Sequence, residues 1–206
     1  MMMNNIIYLL NQLLNIEKPN SKLEQYFTTP LLAVRFLKKI DFKNKIVIDF
    51  GCGAGIVGLT ALLLGAKKVI FLDVDKEAVE LTKNNYAIIK NQVPVGEAEF
   101  LNQDISLFKS SFKADVALLN PPFGTTDENK RIDSIFLKKA MNVAKIVLTM
   151  HKTVTKKYIK GIMAEKGFNL TYAEDFLFPI DKIYSHHSED TVDVQVTLFI
   201  AENNNL

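Results

Sequence analysis

The run Asn120-Pro121-Pro122-Phe123-Gly124 holds the most specific chemistry in the chain. Its two prolines fix φ and remove two N–H groups, leaving a stiff backbone that offers carbonyls without competing donors. Asn120 adds a side-chain carbonyl, and Phe123 a flat apolar face. Together they suit a planar substrate bearing an NH2 group. Its hydrogens would bond to the Asn120 oxygen and the Pro121 carbonyl while its ring stacks on Phe123. The bland alternative is a rigid loop after a buried strand.

A second constellation lies upstream, in Asp49-Phe50-Gly51-Cys52-Gly53-Ala54-Gly55. Alternating glycines allow a tight turn and close approach of a ligand, and a helix start beyond them offers free N–H groups. Asp73 stands 22 residues beyond Gly51, where an acid accepts hydrogen bonds from a ribose diol. NAD and S-adenosylmethionine both carry such a ribose. Asp75 reads as the N-cap of the next helix. Asp104-Ile105 could present an acid or a backbone N–H to an adenine amine, with Ile105 against the ring. Cys52 has no nearby His in sequence to activate it and reads as a small filler of the turn.

These residues need a scaffold, and the hydrophobic pattern supplies one. Apolar strand-like runs at Lys45–Phe50, Lys68–Asp73, Glu97–Leu101, Asp115–Leu119 and Lys145–Thr149 alternate with helix-like segments. The helical segments are Ile56–Leu64, Asp75–Lys90, Ser134–Ala144 and Thr155–Lys166. Two late strands, Leu170–Phe176 and Thr191–Ile200, have only a loop between them. The pattern predicts an α/β, Rossmann-like fold: a seven-stranded, mostly parallel sheet, helices on both faces, and an antiparallel C-terminal edge pair. Each candidate residue then follows a strand, where ligands bind in such sheets.

With 206 residues, 48% hydrophobic and 23% charged, the chain can bury a core without staples, and wholesale disorder is excluded. Its single Cys excludes a disulfide framework and a Cys-rich zinc site. The start lacks the basic region of a signal peptide. The apolar residues from Ile6 to Leu14 are too few and too interrupted for a membrane span. They predict an amphipathic helix laid on the domain or on a partner. Residues 1–30 are thus read as a helical extension, 31–206 as the main domain, and the protein as cytoplasmic.

An amine conjugated to a ring or carbonyl is a poor nucleophile because its lone pair is delocalised. Acceptors on both N–H bonds can concentrate that pair on an incoming methyl, and the proton can leave once the nitrogen is methylated. The gain then comes from placing nitrogen, methyl carbon and sulfonium sulfur in line. On these residues the chain resembles the class I S-adenosylmethionine-dependent methyltransferases with the Asn-Pro-Pro-Phe/Tyr motif. Within them it is similar to the archaeal and eukaryotic branch that methylates N6 of an adenosine in small-subunit ribosomal RNA. The resemblance takes in Leu23 to Pro30, the glycine turn, Leu72 to Asp75, Asn120 to Thr125, Met150-His151-Lys152 and Ser188 to Val196. Phe27 and Phe50 depart from it, standing where Pro and Leu are usual. It implies cofactor contacts at Gln25, Thr28, Gly51, Ala54, Ile56, Asp73, Asp104 and Ile105, with Asp49 and Gly53 in the same turn. Asn120, Pro121, Pro122 and Phe123 would hold the target base. It also implies a small zinc-binding activator subunit added at a sheet edge.

Charge is uneven. From Arg131 to Lys166 nine Lys or Arg face two acids, a balance of +7 in a chain of net charge +2; from Glu174 to Asp193 the balance is −5. Basic groups beside the target pocket would neutralise phosphates flanking a flipped base. His151, Lys152, Lys156 and His187 are the RNA-contact candidates. The adjacent His186 and His187 lack carboxylate or Cys partners and make a poor metal site. Two other readings remain: a methyltransferase acting on a glutamine amide of a translation factor, and a non-catalytic cofactor-binding module in ribosome assembly.

Overall fold

The computed structural model describes residues 2–17, 19–20, 23–122, 132–181 and 191–205. Seven strands form one sheet: β1 (Ile46–Phe50), β2 (Lys68–Asp73), β3 (Glu97–Asn102), β4 (Ala114–Leu119), β5 (Ala144–Lys152), β6 (Asn169–Asp181) and β7 (Thr191–Glu202). Their order is β3-β2-β1-β4-β5-β7-β6. All pairs are parallel except β5 with β7 and β6 with β7. The strand order therefore reverses between β1 and β4, and a crevice opens there at the carboxyl ends.

The inner strands are buried along nearly their whole length because helices cover both faces. Alternate residues serve opposite cores. Val47, Val69, Phe71, Val116 and Leu118 join α1 (Met3–Leu10), α2 (Pro30–Leu37), α3 (Ile56–Leu63) and Ile89 of α4 (Lys76–Lys90). Ile48, Ile70, Leu72, Ala117 and Leu119 face α5 (Ile132–Val143) and α6 (Lys156–Glu165). Period-two side chains thus build a three-layer sandwich.

The predicted architecture stands, with local differences. Helix α1 buries Ile6, Leu9 and Leu10 in the same core as α2 and α3, so it packs on its own domain. Helix α2 was not foreseen, although Thr29-Pro30 carries a start signal. Thr29 Oγ1 accepts from Leu32 N, and Pro30 sits where its missing N–H costs nothing. Strands β5 and β6 outrun their apolar runs because β7 pairs along both. Backbone pairing, not side-chain hydrophobicity, sets those ends.

Helix α3 is buried on every side, which lets it lie close to the sheet. A Cβ on Gly58 would collide with the Phe71 ring and lie 2.8 Å from Asp49 Oδ2. Helix propensity favours alanine by about 1 kcal/mol, but overpacking costs roughly 1–3 kcal/mol. Gly58→Ala should therefore lower the urea midpoint; an unchanged or higher midpoint would mean the helix has room to move.

Candidate functional site

A cavity of about 330 Å³ opens at the carboxyl ends of β1, β2 and β4. All ten predicted cofactor residues line it: Gln25, Thr28, Asp49, Gly51, Gly53, Ala54, Ile56, Asp73, Asp104 and Ile105. Asn120 and Pro122 complete the wall, while Pro121 is buried and lies outside it. Phe123 falls outside the described residues. The sequence reading missed Asn15, Ile16, Glu17 and Pro19, which also face the cavity, and Phe136 of α5.

The glycine turn takes its shape from left-handed backbone: Gly51, Gly53 and Gly55 have φ of 72°, 54° and 82°. A Cβ on Gly53 would meet nothing within 4 Å, so its backbone is open to a close ligand. Helix α4 props the turn from behind. Thr82 Oγ1 donates to Gly53 O at 2.8 Å and Asn85 Nδ2 to Ala54 O at 2.9 Å. Asn85 also exchanges two 2.8 Å bonds with the Leu14 backbone, tying the segment before the cavity to the turn. A legible signal existed. Thr82 and Asn85 lie three residues apart on the buried stripe of an otherwise polar-faced helix.

Asp73 is held by two backbone donors, Gly53 N to Oδ2 at 2.9 Å and Asp75 N to Oδ1 at 3.0 Å. A carboxylate has about four acceptor sites, so these two bonds leave room to accept from a diol. Burial raises its pKa, offset in part by those N–H groups. Asp75 caps α4 as expected, accepting from Glu77 N at 2.9 Å.

Asp49, 2% exposed, accepts from Gly58 N. Burial pushes its pKa from 3.8 up to about 7; the Gly58 bond opposes the shift and Asp73 adds to it. The folded chain therefore keeps a proton that the unfolded chain loses, and ligand-free stability falls as pH rises between those two values. S-adenosylmethionine, the cofactor that the resemblance implies, carries a sulfonium and an ammonium. Acidic walls, an open turn and a diol acceptor fit it. Its positive charge would favour ionised Asp49, so binding should release a proton. Its Kd should then fall several-fold between about pH 6 and pH 8, and Asp49→Asn should flatten that slope. Calorimetry in buffers of different ionisation enthalpy checks it; no released proton would refute it.

Pro19 and residues 23–28 form a further part of the cavity wall. Gln25 accepts from Asn20 N at 2.8 Å and donates to Asp75 Oδ2 at 2.7 Å, which engages both ends of its amide within the chain. Asn120 Nδ2 donates to Thr28 Oγ1 at 2.9 Å, and no described residue bonds Asn120 Oδ1.

The predicted RNA contacts divide. His151 is 0% exposed, with Nε2 2.9 Å from Thr149 Oγ1 and Nδ1 3.0 Å from Asp133 Oδ2. Buried with both nitrogens occupied, it cannot reach RNA; it ties the start of α5 to β5 instead. Burial alone would raise the Asp133 pKa, but the His151 bond and charge hold it low. Lys152 is half-buried, and Lys156 pairs with both Asp175 oxygens at 2.8 and 2.9 Å. His187 lies outside the described residues. Cys52 is buried against Thr82 Oγ1; burial, then the Asp49 and Asp73 charges, push its thiol pKa up. It stays a neutral filler.

Comparison with known proteins places this geometry. The ribosomal protein L11 methyltransferase family matches residues 26–120, which is the cofactor half up to Asn120. Whole-chain relatives differ in name. The rRNA N(6)-adenosine-methyltransferase metl-5 of Caenorhabditis elegans is 32% identical over 203 residues, covering 93% of this chain and 94% of that one. The rRNA N(6)-adenosine-methyltransferase METTL5 of Danio rerio is 30% identical over 195 residues, covering 91% and 92%. A crystal structure from Pyrococcus horikoshii, described as that of a candidate RNA methyltransferase, superposes with TM-score 0.83 at 30% identity, over 97% of this chain and 98% of that one.

Proposed function

The chain belongs to the S-adenosylmethionine-dependent family of the rRNA N6-adenosine methyltransferases, and from that membership we propose that it methylates N6 of an adenosine in small-subunit ribosomal RNA. The observation that carries the reading is Asn120. It stands in the wall of the cofactor cavity with its amide nitrogen engaged and no described residue bonded to its oxygen. S-adenosylmethionine supplies an electrophilic methyl group. Asn120 Oδ1 accepts an N–H of the adenine amine, which draws the lone pair out of conjugation; Pro121, buried behind the wall, stiffens the loop that carries Asn120. As the N–C bond forms and the S–C bond breaks, the amine proton is lost to solvent, so no buried base is required. Asp73 would hold the ribose diol, Asp49 would balance the positive charge, and Ile105 would pack on the cofactor's adenine.

The substrate RNA approaches over the carboxyl end of β5. Exposed Lys157 and Lys160, with half-buried Lys152, stand there around exposed Val154 and Tyr158. A small zinc-binding activator would add to one of the two sheet edges, β3 or β6. Rescue of poor solubility by co-expression would support it, and a stable, fully active monomer would oppose it. Among the described residues no helix is long and apolar enough to cross a membrane; we place the enzyme in the cytoplasm.

The direct test supplies labelled S-adenosylmethionine with small-subunit RNA and ribosomal proteins together. Label should appear in RNA and resolve as N6-methyladenosine by nucleoside mass spectrometry. Label in protein, as the partial L11-family match would have it, or in guanosine, would reject the reading.

A further inference from the structure

We propose that Thr28 is a positioning residue for methyl transfer, whose hydroxyl locks the Asn120 carboxamide with its oxygen toward the base once the cofactor is in place. The proposal rests on the reading above, in which Asn120 meets the adenine amine, and on the cofactor contact at Thr28 that the family resemblance implies. Thr28 is buried, lines the cavity, and has its Oγ1 2.9 Å from Asn120 Nδ2.

A carboxamide has two ends of nearly equal size and opposite function, an acceptor oxygen and a donor NH2. Rotation about its terminal torsion exchanges them at small steric cost. The target amine needs the oxygen. With the amide turned over, NH2 would face NH2, losing an acceptor where the reaction requires one. Something must therefore choose the orientation.

Thr28 can choose because a hydroxyl has one proton to give and two lone pairs to accept with. With the cavity empty of ligand, that proton is free to point toward Asn120, where it would also satisfy a turned-over amide through its oxygen. Once the proton is donated to an acceptor of the bound cofactor, only lone pairs remain toward Asn120. Only Nδ2 can then face Thr28, and Oδ1 faces the base. One proton thus links the two halves of the cavity. The link spans residues 92 apart in sequence, and no local motif records it.

The test uses the full-length protein, Thr28→Val (same shape, no hydroxyl), Thr28→Ser (hydroxyl kept), and the product S-adenosylhomocysteine as probe. At saturating cofactor and RNA, Thr28→Val should lose turnover by about 10²-fold, the scale of a misplaced reacting group. Thr28→Ser should restore it to within a few-fold. A residue that only bound cofactor would change Kd and leave saturated turnover alone. The second readout needs no reaction. In protein labelled with ¹⁵N-asparagine, the Asn120 side-chain amide pair, assigned by its loss in Asn120→Asp, should shift on adding S-adenosylhomocysteine. That shift should persist in Thr28→Ser and vanish in Thr28→Val. Saturated turnover of Thr28→Val within two-fold of wild type, or an Asn120 resonance indifferent to the substitution, would overturn the proposal. If wild type methylates no adenosine, the proposed function falls, while the amide resonance still decides the Thr28 link.

Discussion

Asn120→Ala should lower saturated turnover by about 10²–10³-fold, the loss seen when a group aimed at developing charge is removed, and leave cofactor affinity within a few-fold. The asymmetry follows from position. Asn120 meets the cavity at its substrate end, where its side chain bonds Thr28, and no bond among the described residues joins it to Asp73 or the glycine turn. The substitution empties a partly exposed position and orphans no backbone group among the described residues, so the fold should survive; circular dichroism and calorimetric titration of S-adenosylhomocysteine verify that. Single-turnover methylation then isolates the chemical step. Turnover within ten-fold of wild type would remove Asn120 from the reaction.

The opposite split is expected at Asp73. Asp73→Ala should weaken cofactor binding by about 10²-fold or more, since each hydrogen bond to a charged group contributes about 1.5–3 kcal/mol. Saturated turnover should stay within a few-fold. Part of the loss is indirect. The substitution also orphans Gly53 N and Asp75 N, which Asp73 holds at 2.9 and 3.0 Å. Asp73→Asn, which keeps one acceptor oxygen, separates the contributions: it should lose less affinity and less stability than alanine. Equal cofactor Kd for wild type and Asp73→Ala would show that the diol is held elsewhere. Together the two variants divide the cavity into a binding end and a reacting end.

Much of this site could be read in advance because its parts are local. Gly51, Gly53 and Gly55 lie within one turn, and their left-handed backbone needs glycine wherever the chain runs next. Asp73 could be placed because a β-α-β unit has nearly fixed length, so an acid ending β2 returns beside the turn after β1. Asn120 and its prolines follow β4, which pairs with β1 on the other side.

His151 shows where such reading fails. Its place after a strand and next to Lys152 looked like an RNA surface, yet the ring is fully buried against Asp133 and Thr149. Strand β5 continues through it because β7 pairs alongside, His151 opposite Thr197. Charge counting along the chain carries no information on which side chains the third dimension covers.

Sequence alone was sufficient for the alternation of strands and helices, the glycine turn, and the places of Asp73 and Asn120 at the ends of their strands in the cavity wall. Each depends on short-range backbone geometry or on side chains a few residues apart. It could not supply the contacts that make one device of these parts. The Asn85 clasp on Leu14 spans 71 residues and the Thr28 bond to Asn120 spans 92. Hydrogen bonds of that kind depend on the sheet that places β1 between β2 and β4. They depend on distances of a few ångströms set by packing, and no spacing along the chain encodes them.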